Sequence, residues 1–250
     1  MDIRSIAIIA YRMLTLALDT TTRTPTCALV ADARVEGAWE GRADESPAAQ
    51  LPMGLEVALA QAGRRLADLD VLAVAVGPGS FTGLRVGIAT MQGLAMALGL
   101  PLVGVSSLEA LAIHAAAAYE HGETQDHGGE AFLVAPWVDA WRGEVYAGLY
   151  RAGCEVRPPI VAEPGVVLGD LAGAVLFVGN GAEGHRGLLT SWAGGTAQFA
   201  RVLQPALAAT IARLASARAA AGERPPPDAI APLYVRRPDH VLARDARRIS

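Results

Sequence analysis

Val71-Leu72-Ala73-Val74-Ala75-Val76 runs directly into Gly77-Pro78-Gly79-Ser80-Phe81-Thr82-Gly83-Leu84-Arg85. The first six residues form an unbroken apolar, β-branched segment, the pattern of a strand buried on both faces. Beyond the glycines, Leu84, Ile88, Met91, Ala95 and Leu98 recur at three- and four-residue steps, the period of an amphipathic helix. The stretch is therefore a strand–loop–helix junction. Its glycines permit positive φ and close backbone approach, and Ser80 or Thr82 is placed to cap the helix. Two readings of the loop stand side by side. It is either an anion cradle at a helix N-terminus or a tight turn whose glycines allow close packing. It has neither the Lys-Ser/Thr ending of a Walker P-loop nor the GxGxxG dinucleotide spacing.

The run GPGSFTGLR followed by VGIATMQGLA resembles the signature of the TsaB family, the accessory subunits of the bacterial machinery that makes threonylcarbamoyladenosine in tRNA. The resemblance extends from Met13 to about Arg237. It implies an α/β, two-lobed actin-like (ASKHA, ribonuclease-H-like) fold with a degenerate βββαβα duplication. The expected division is an N-terminal lobe of residues 1–107 and a C-terminal lobe of residues 108–250, the C-terminal helix packing back on the first lobe. Family members begin near the position of Met13, so residues 1–12 are expected to be an upstream extension or a misplaced start.

Composition agrees with a folded protein that does not hold nucleic acid tightly by itself. Hydrophobic residues make up 52% of the 250 and charged residues 18%, with a formal net charge of −4. Tight phosphate binding needs clustered Lys and Arg, so contact with tRNA is expected through a complex. Cys27 and Cys154 form no CxxC pair and suit a reducing compartment, so a cytoplasmic location is expected, with no membrane segment.

Taken in order, residues 13–19 read as a strand ending in Asp19, followed by the hydroxyl-rich turn Thr20-Thr21-Thr22 and two further strands near 26–31 and 35–39. An acidic strand end beside a hydroxyl-rich turn is the arrangement that sugar kinases and actin-type ATPases use for nucleotide phosphates. Those proteins carry a glycine in this turn, and here it reads Asp-Thr-Thr-Thr-Arg-Thr-Pro. The candidate nucleotide or phosphate loop comprises Asp19, Thr20, Thr21, Gly77, Gly79, Ser80 and Asn180, the last from the strand-then-glycine run Phe177-Val178-Gly179-Asn180-Gly181.

Ser46 and Pro47 are placed to open a helix through Leu51, Leu55 and Leu59 that stops at Gly63, with Pro52 expected to kink it or move its start. On the central helix, Gly83, Gly87 and Thr90 form a small-residue stripe. Packing within the lobe accounts for such a stripe. The resemblance adds a second reading, in which this helix and the one before it pair with the catalytic relative TsaD or with a second copy. The expected interface residues are Gly83, Gly87, Thr90, Met91, Leu51 and Leu55.

Ser106-Ser107-Leu108-Glu109 reads as a capping box. In TsaD-type relatives the equivalent strand leads into His-x-x-x-His, which holds the catalytic metal; alignment puts Ser107 and Leu111 at those positions here. No metal site is therefore expected, and no catalytic residue is assigned. Farther on, residues 120–130 read as a connection between lobes. Asp139-Ala140-Trp141-Arg142-Gly143 reads as a hairpin turn held by a local ion pair, with Trp141 where the family has Arg. Residues 205–221 read as a helix, and the tail beyond Tyr234 carries five arginines against two aspartates.

The resemblance implies a non-catalytic scaffold for TsaD, with TsaE in the same assembly, tRNA met through the complex, a homodimer when alone, and ATP and a metal belonging to partner subunits. The rival reading is an ATP-dependent phosphotransferase or ATPase of the same fold. A metallopeptidase is disfavoured by the missing histidine pair.

Overall fold

A computed structural model describes residues 13–119 and 132–235. The expected extension at 1–12, the connection at 120–130 and the arginines beyond Val235 lie outside the described residues.

Two five-stranded sheets share one topology. The first has strands β1 (Leu14–Asp19), β2 (Thr26–Ala31), β3 (Arg34–Glu40), β4 (Val71–Gly77) and β5 (Leu102–Ser106) in the order β3-β2-β1-β4-β5. The second has β6 (Leu133–Asp139), β7 (Val145–Arg151), β8 (Cys154–Ala162), β9 (Gly173–Val178) and β10 (Gly195–Phe199) in the order β10-β9-β6-β7-β8. In each, the first strand pairs antiparallel with the second and parallel with the fourth. The duplication is thus explicit in strand order and direction, although the two halves share little residue pattern. This is the actin-like, two-lobed fold.

The helices are α1 (Pro47–Gln61), α2 (Phe81–Leu98), α3 (Ser107–Ala118), α4 (Pro164–Gly169), α5 (Asn180–Gly184), α6 (Arg186–Thr190) and α7 (Ala208–Ala220). Alternation along the strands separates three layers of core. Leu14, Leu16 and Leu18 of β1, with Leu72 and Val74 of β4, pack under α1 and α2. On the opposite face of the same strands, Ala17, Ala73 and Ala75 meet α3 and α7. The outer face of the second sheet, with Trp137 and Phe177 in edge-to-face contact, is covered by α4, α5 and α6.

The two inner helices exchange sheets. Helix α3 follows β5 of the first sheet yet packs chiefly on β6, β7 and β9, whereas α7 follows the second sheet and packs on β1, β2, β4 and β5. A single apolar core therefore runs between the sheets. Arg218 of α7 fastens this layer, donating to both Glu109 carboxylate oxygens at 2.6 and 2.7 Å and to the Gly104 carbonyl at 3.0 Å. The expected lobe boundary at 107/108 falls at the start of α3.

Several local expectations are corrected. Ser46 takes the N-cap position with no side-chain cap bond, and Pro52 lies inside α1 without ending it. Residues 205–207 are outside α7, which opens at Ala208. The turn at 139–143 joins β6 and β7 as a hairpin, as expected, and the Asp139 carboxylate accepts the Trp141 N–H at 2.9 Å within it. Of the expected capping box, Ser106 supplies its half, accepting the Glu109 N–H at 3.4 Å, while the Glu109 carboxylate is turned to Arg218. At the other end of α2, Gly99 takes φ +66° and closes the helix.

Candidate functional site: the cleft between the sheets and the α1/α2 groove

A cleft of about 550 Å³ opens between the two sheets. Asp19, Thr21, Gly79, Ser80 and Asn180 line it; Thr20 and Gly77 do not. The cleft stands where the strand ends converge. Asp19 closes β1, the Gly77–Ser80 loop follows β4, and Asn180 starts α5 after β9.

Much of the polar equipment is committed to the fold. One Asp19 oxygen accepts the Thr21 N–H at 2.8 Å and the Thr21 hydroxyl at 2.7 Å. Burial raises the Asp19 pKa above the ordinary carboxylate value, and the two bonds from Thr21 oppose that shift. The Ser80 N–H donates to the Thr21 carbonyl at 2.8 Å, and the Ser80 hydroxyl accepts the Gly83 N–H at 3.2 Å. Two main-chain donors that a phosphate cradle would use at the start of α2 are thus already engaged. Asn180 Oδ1 accepts the Asp139 N–H at 2.9 Å and joins α5 to β6.

The loop glycines serve close packing. A Cβ on Gly79 would lie 2.5 Å from the Thr21 carbonyl oxygen, one on Gly83 2.0 Å from the Thr20 carbonyl oxygen, and one on Gly87 2.2 Å from Thr20 Oγ1. Gly83 and Gly87 therefore face the β1–β2 turn of their own chain. Met91 is also fully buried, and Leu51 and Leu55 are buried in the same core. Of the six expected interface residues, Gly83, Gly87 and Met91 are corrected to interior packing positions. Thr90, Leu51 and Leu55 instead line an apolar groove of about 530 Å³ between α1 and α2, together with Pro52 and Leu94. Periodicity placed the small residues on one helical stripe; it could not tell that the β1–β2 turn occupies it.

Sequence reading missed Arg23 and Trp141, which face each other across the cleft mouth with the guanidinium 5.8 Å from the ring centroid. The one available signal was Trp141 standing in place of an arginine. At the positions of the histidine pair, the Ser107 hydroxyl donates to the Pro78 carbonyl at 2.6 Å, and Leu111 offers no donor atom. These residues do not fit a metal ion. Among the described residues no group of three or more His, Cys, Asp or Glu side chains could hold one.

The family model described as TsaD, tRNA N6-adenosine threonylcarbamoyltransferase, matches residues 42–220. The TsaB tRNA threonylcarbamoyladenosine biosynthesis protein of Escherichia coli is 38% identical over 136 residues, 54% of each chain. Its counterpart in Bacillus subtilis is 35% identical over 129 residues, covering 49% of this chain and 51% of that protein. The chain belongs to the TsaD family, as a TsaB/YeaZ-type protein. The aligned stretch spans about half the length of these two relatives. Among solved structures, YeaZ from Pseudomonas aeruginosa superposes with a TM-score of 0.70 at 28% identity, covering 89% of this chain and 99% of that one. A second P. aeruginosa structure, an uncharacterized protein with similarity to peptidase YEAZ, reaches 0.73 at 27% identity, over 90% and 100%. Component A of the Acidaminococcus fermentans (R)-2-hydroxyglutaryl-CoA dehydratase, at 11% identity and a TM-score of 0.51 over 83% and 99%, shares the fold alone. In this TsaB/YeaZ-type chain the family fold is kept while Ser107 and Leu111 occupy the cleft wall.

Proposed function

We propose that this chain is an accessory subunit in the biosynthesis of threonylcarbamoyladenosine in tRNA, acting as a non-catalytic scaffold for TsaD. The observation that carries the reading is the cleft wall itself: Ser107 is bonded to Pro78 and Leu111 is apolar where a metal-holding pair would stand. The α1/α2 groove, lined by Leu51, Leu55, Leu94 and the half-buried Thr90, is the docking face for TsaD and, in the free protein, for a second copy. TsaE joins the same assembly, ATP and the metal reside in the partner subunits, and the complex works in the cytoplasm and brings tRNA to the chain. Among the described residues no helix is long and apolar enough to cross a membrane.

The test is reconstitution of tRNA threonylcarbamoylation from TsaD, TsaE, threonylcarbamoyl adenylate and tRNA, with and without this chain. The expected result is efficient product formation only in its presence, with no ATPase activity from the chain alone. Undiminished product without it overturns the reading.

One observation favours a second reading: buried Asp19 stands at a strand end and lines a cleft large enough for a nucleotide. Tight, magnesium-dependent ATP binding by the isolated chain, lost in Asp19→Asn, would move the phosphotransferase reading to first place.

A further inference from the structure

The exposed aromatic residues among those described are Phe81, Trp141 and Tyr234, and two of them stand together. Phe81, the first residue of α2, is 55% exposed and Tyr234 51%, with ring centroids 6.0 Å apart and planes tilted by 34°. The Arg85 guanidinium lies 4.2 Å from the Phe81 ring centroid. A solvent-facing pair of rings is costly to leave open without a partner to stack on it.

The pair is held in place from both sides. Phe81 follows the Ser80 N-cap. Tyr234 ends a strap that returns from α7 to the first sheet. Gln92 Nε2 donates to the Pro227 and Ile230 carbonyls at 2.9 and 3.0 Å, and the Leu233 N–H donates to the Val76 carbonyl at 2.7 Å. Ile230 packs against the α1/α2 core, so the strap is fastened before Tyr234 emerges.

The electrostatics here oppose those of the whole chain. Residues 71–108 contain no Asp or Glu, and Arg85 is their sole charged side chain. Arg85 makes no ion pair among the described residues, and the sequence continues past Tyr234 with Arg236 and Arg237. In a protein of formal net charge −4, an arginine without an ion pair on an exposed ring, beside a second exposed ring, joins stacking surface to positive charge. Unpaired nucleobases stack on aromatic rings and guanidinium planes while their phosphates are met by arginine. The largely apolar α1/α2 groove has no aromatic residue in its lining, and its arginine, Arg64, is ion-paired to Glu36 at 3.6 Å; it suits a protein.

We infer that Phe81, Arg85 and Tyr234 form a contact platform for an unpaired segment of RNA. The inference rests on the accessory role proposed above for the choice of RNA as the polyanion. It assigns direct RNA contact to this chain rather than to its partners alone.

The full chain should be titrated into a fluorescein-labelled RNA hairpin with an unpaired loop, and into a fully paired duplex of the same composition, with anisotropy as readout. The hairpin is expected to bind more tightly. Arg85→Gln and Tyr234→Ala should each weaken hairpin binding by about fivefold or more, and Arg85→Gln should also lower the salt dependence of log K by about one. Arg157→Gln, on β8 of the other sheet, should bind like the unaltered chain. Absence of hairpin binding, equal affinity for the duplex, or unchanged affinity in both variants overturns the platform. The reconstitution assay separates the two proposals. If modification depends on the chain while the variants bind RNA unchanged, the platform alone fails. If the variants lose RNA but omission of the chain leaves modification intact, the accessory role alone fails.

Discussion

The Thr20 hydroxyl donates to the Gly83 carbonyl at 2.8 Å, joining the turn after β1 to the first turn of α2 across 63 residues of sequence. The contact is possible because Gly83 and Gly87 present no side chain toward Thr20. It sets the position of α2 on the first sheet, and through α2 the groove beside α1.

Substitutions along α2 should therefore separate by sign. Gly83→Ala or Gly87→Ala places a methyl 2.0 or 2.2 Å from Thr20 atoms and should destabilise the protein by about 1–3 kcal/mol. Gly93→Ala, where a Cβ would meet nothing within 4 Å, should stabilise it by about 0.5–1 kcal/mol. Urea unfolding of the three variants checks both directions; a neutral Gly87→Ala would show that the Thr20 contact yields easily.

Asp19 predicts a pH dependence. Desolvation raises its pKa in the folded state, so the folded protein holds the Asp19 proton more firmly than the unfolded chain. That contribution to stability is complete below the ordinary carboxylate pKa and is lost as pH rises through the raised folded value. Asp19→Asn keeps an acceptor for Thr21 but removes the charge. Its stability relative to the unaltered chain should improve from acid to neutral pH, measured by denaturant unfolding at several pH values. A constant difference across that range would contradict the buried-charge account.

On the α1/α2 groove, Thr90→Arg adds a long cation to an apolar surface at a half-buried position. Association with TsaD should weaken about tenfold or more, equivalent to about 1.4 kcal/mol, while the melting temperature changes little. Co-elution and calorimetry would measure it. Unaltered affinity would move the docking face elsewhere. Gly87 is unsuited to this test, because a bulky residue there meets Thr20 before it meets a partner.

The two thiols should differ sharply toward a disulfide reagent. Cys154 is exposed, whereas Cys27 is buried in β2 and burial pushes its pKa up to about 12. One thiol should react quickly in the native protein and the second only on unfolding, as followed by release of the coloured thiolate. Two fast thiols would place Cys27 in an opening segment.

Much of the cleft was legible as local pattern. Asp19 at a strand end, the Gly77–Ser80 loop and Asn180 after a strand are all junction residues, and strand ends in a parallel arrangement converge on one edge. Arg23 and Trp141 were not legible, because a contact between two turns of different sheets leaves no periodic trace in either.

By itself the sequence determined the elements on either side of the Gly77 loop and their order. The apolar run into Gly77, the period of α2 and its stop at Gly99, and the Ser106 cap of α3 are settled by neighbours within a few residues. Only the tertiary structure decided what each buried face meets. An amphipathic stripe states that a surface is covered and is silent about the cover, so α3 and α7 could exchange sheets, and the glycines of α2 could close on Thr20, with no change in local pattern.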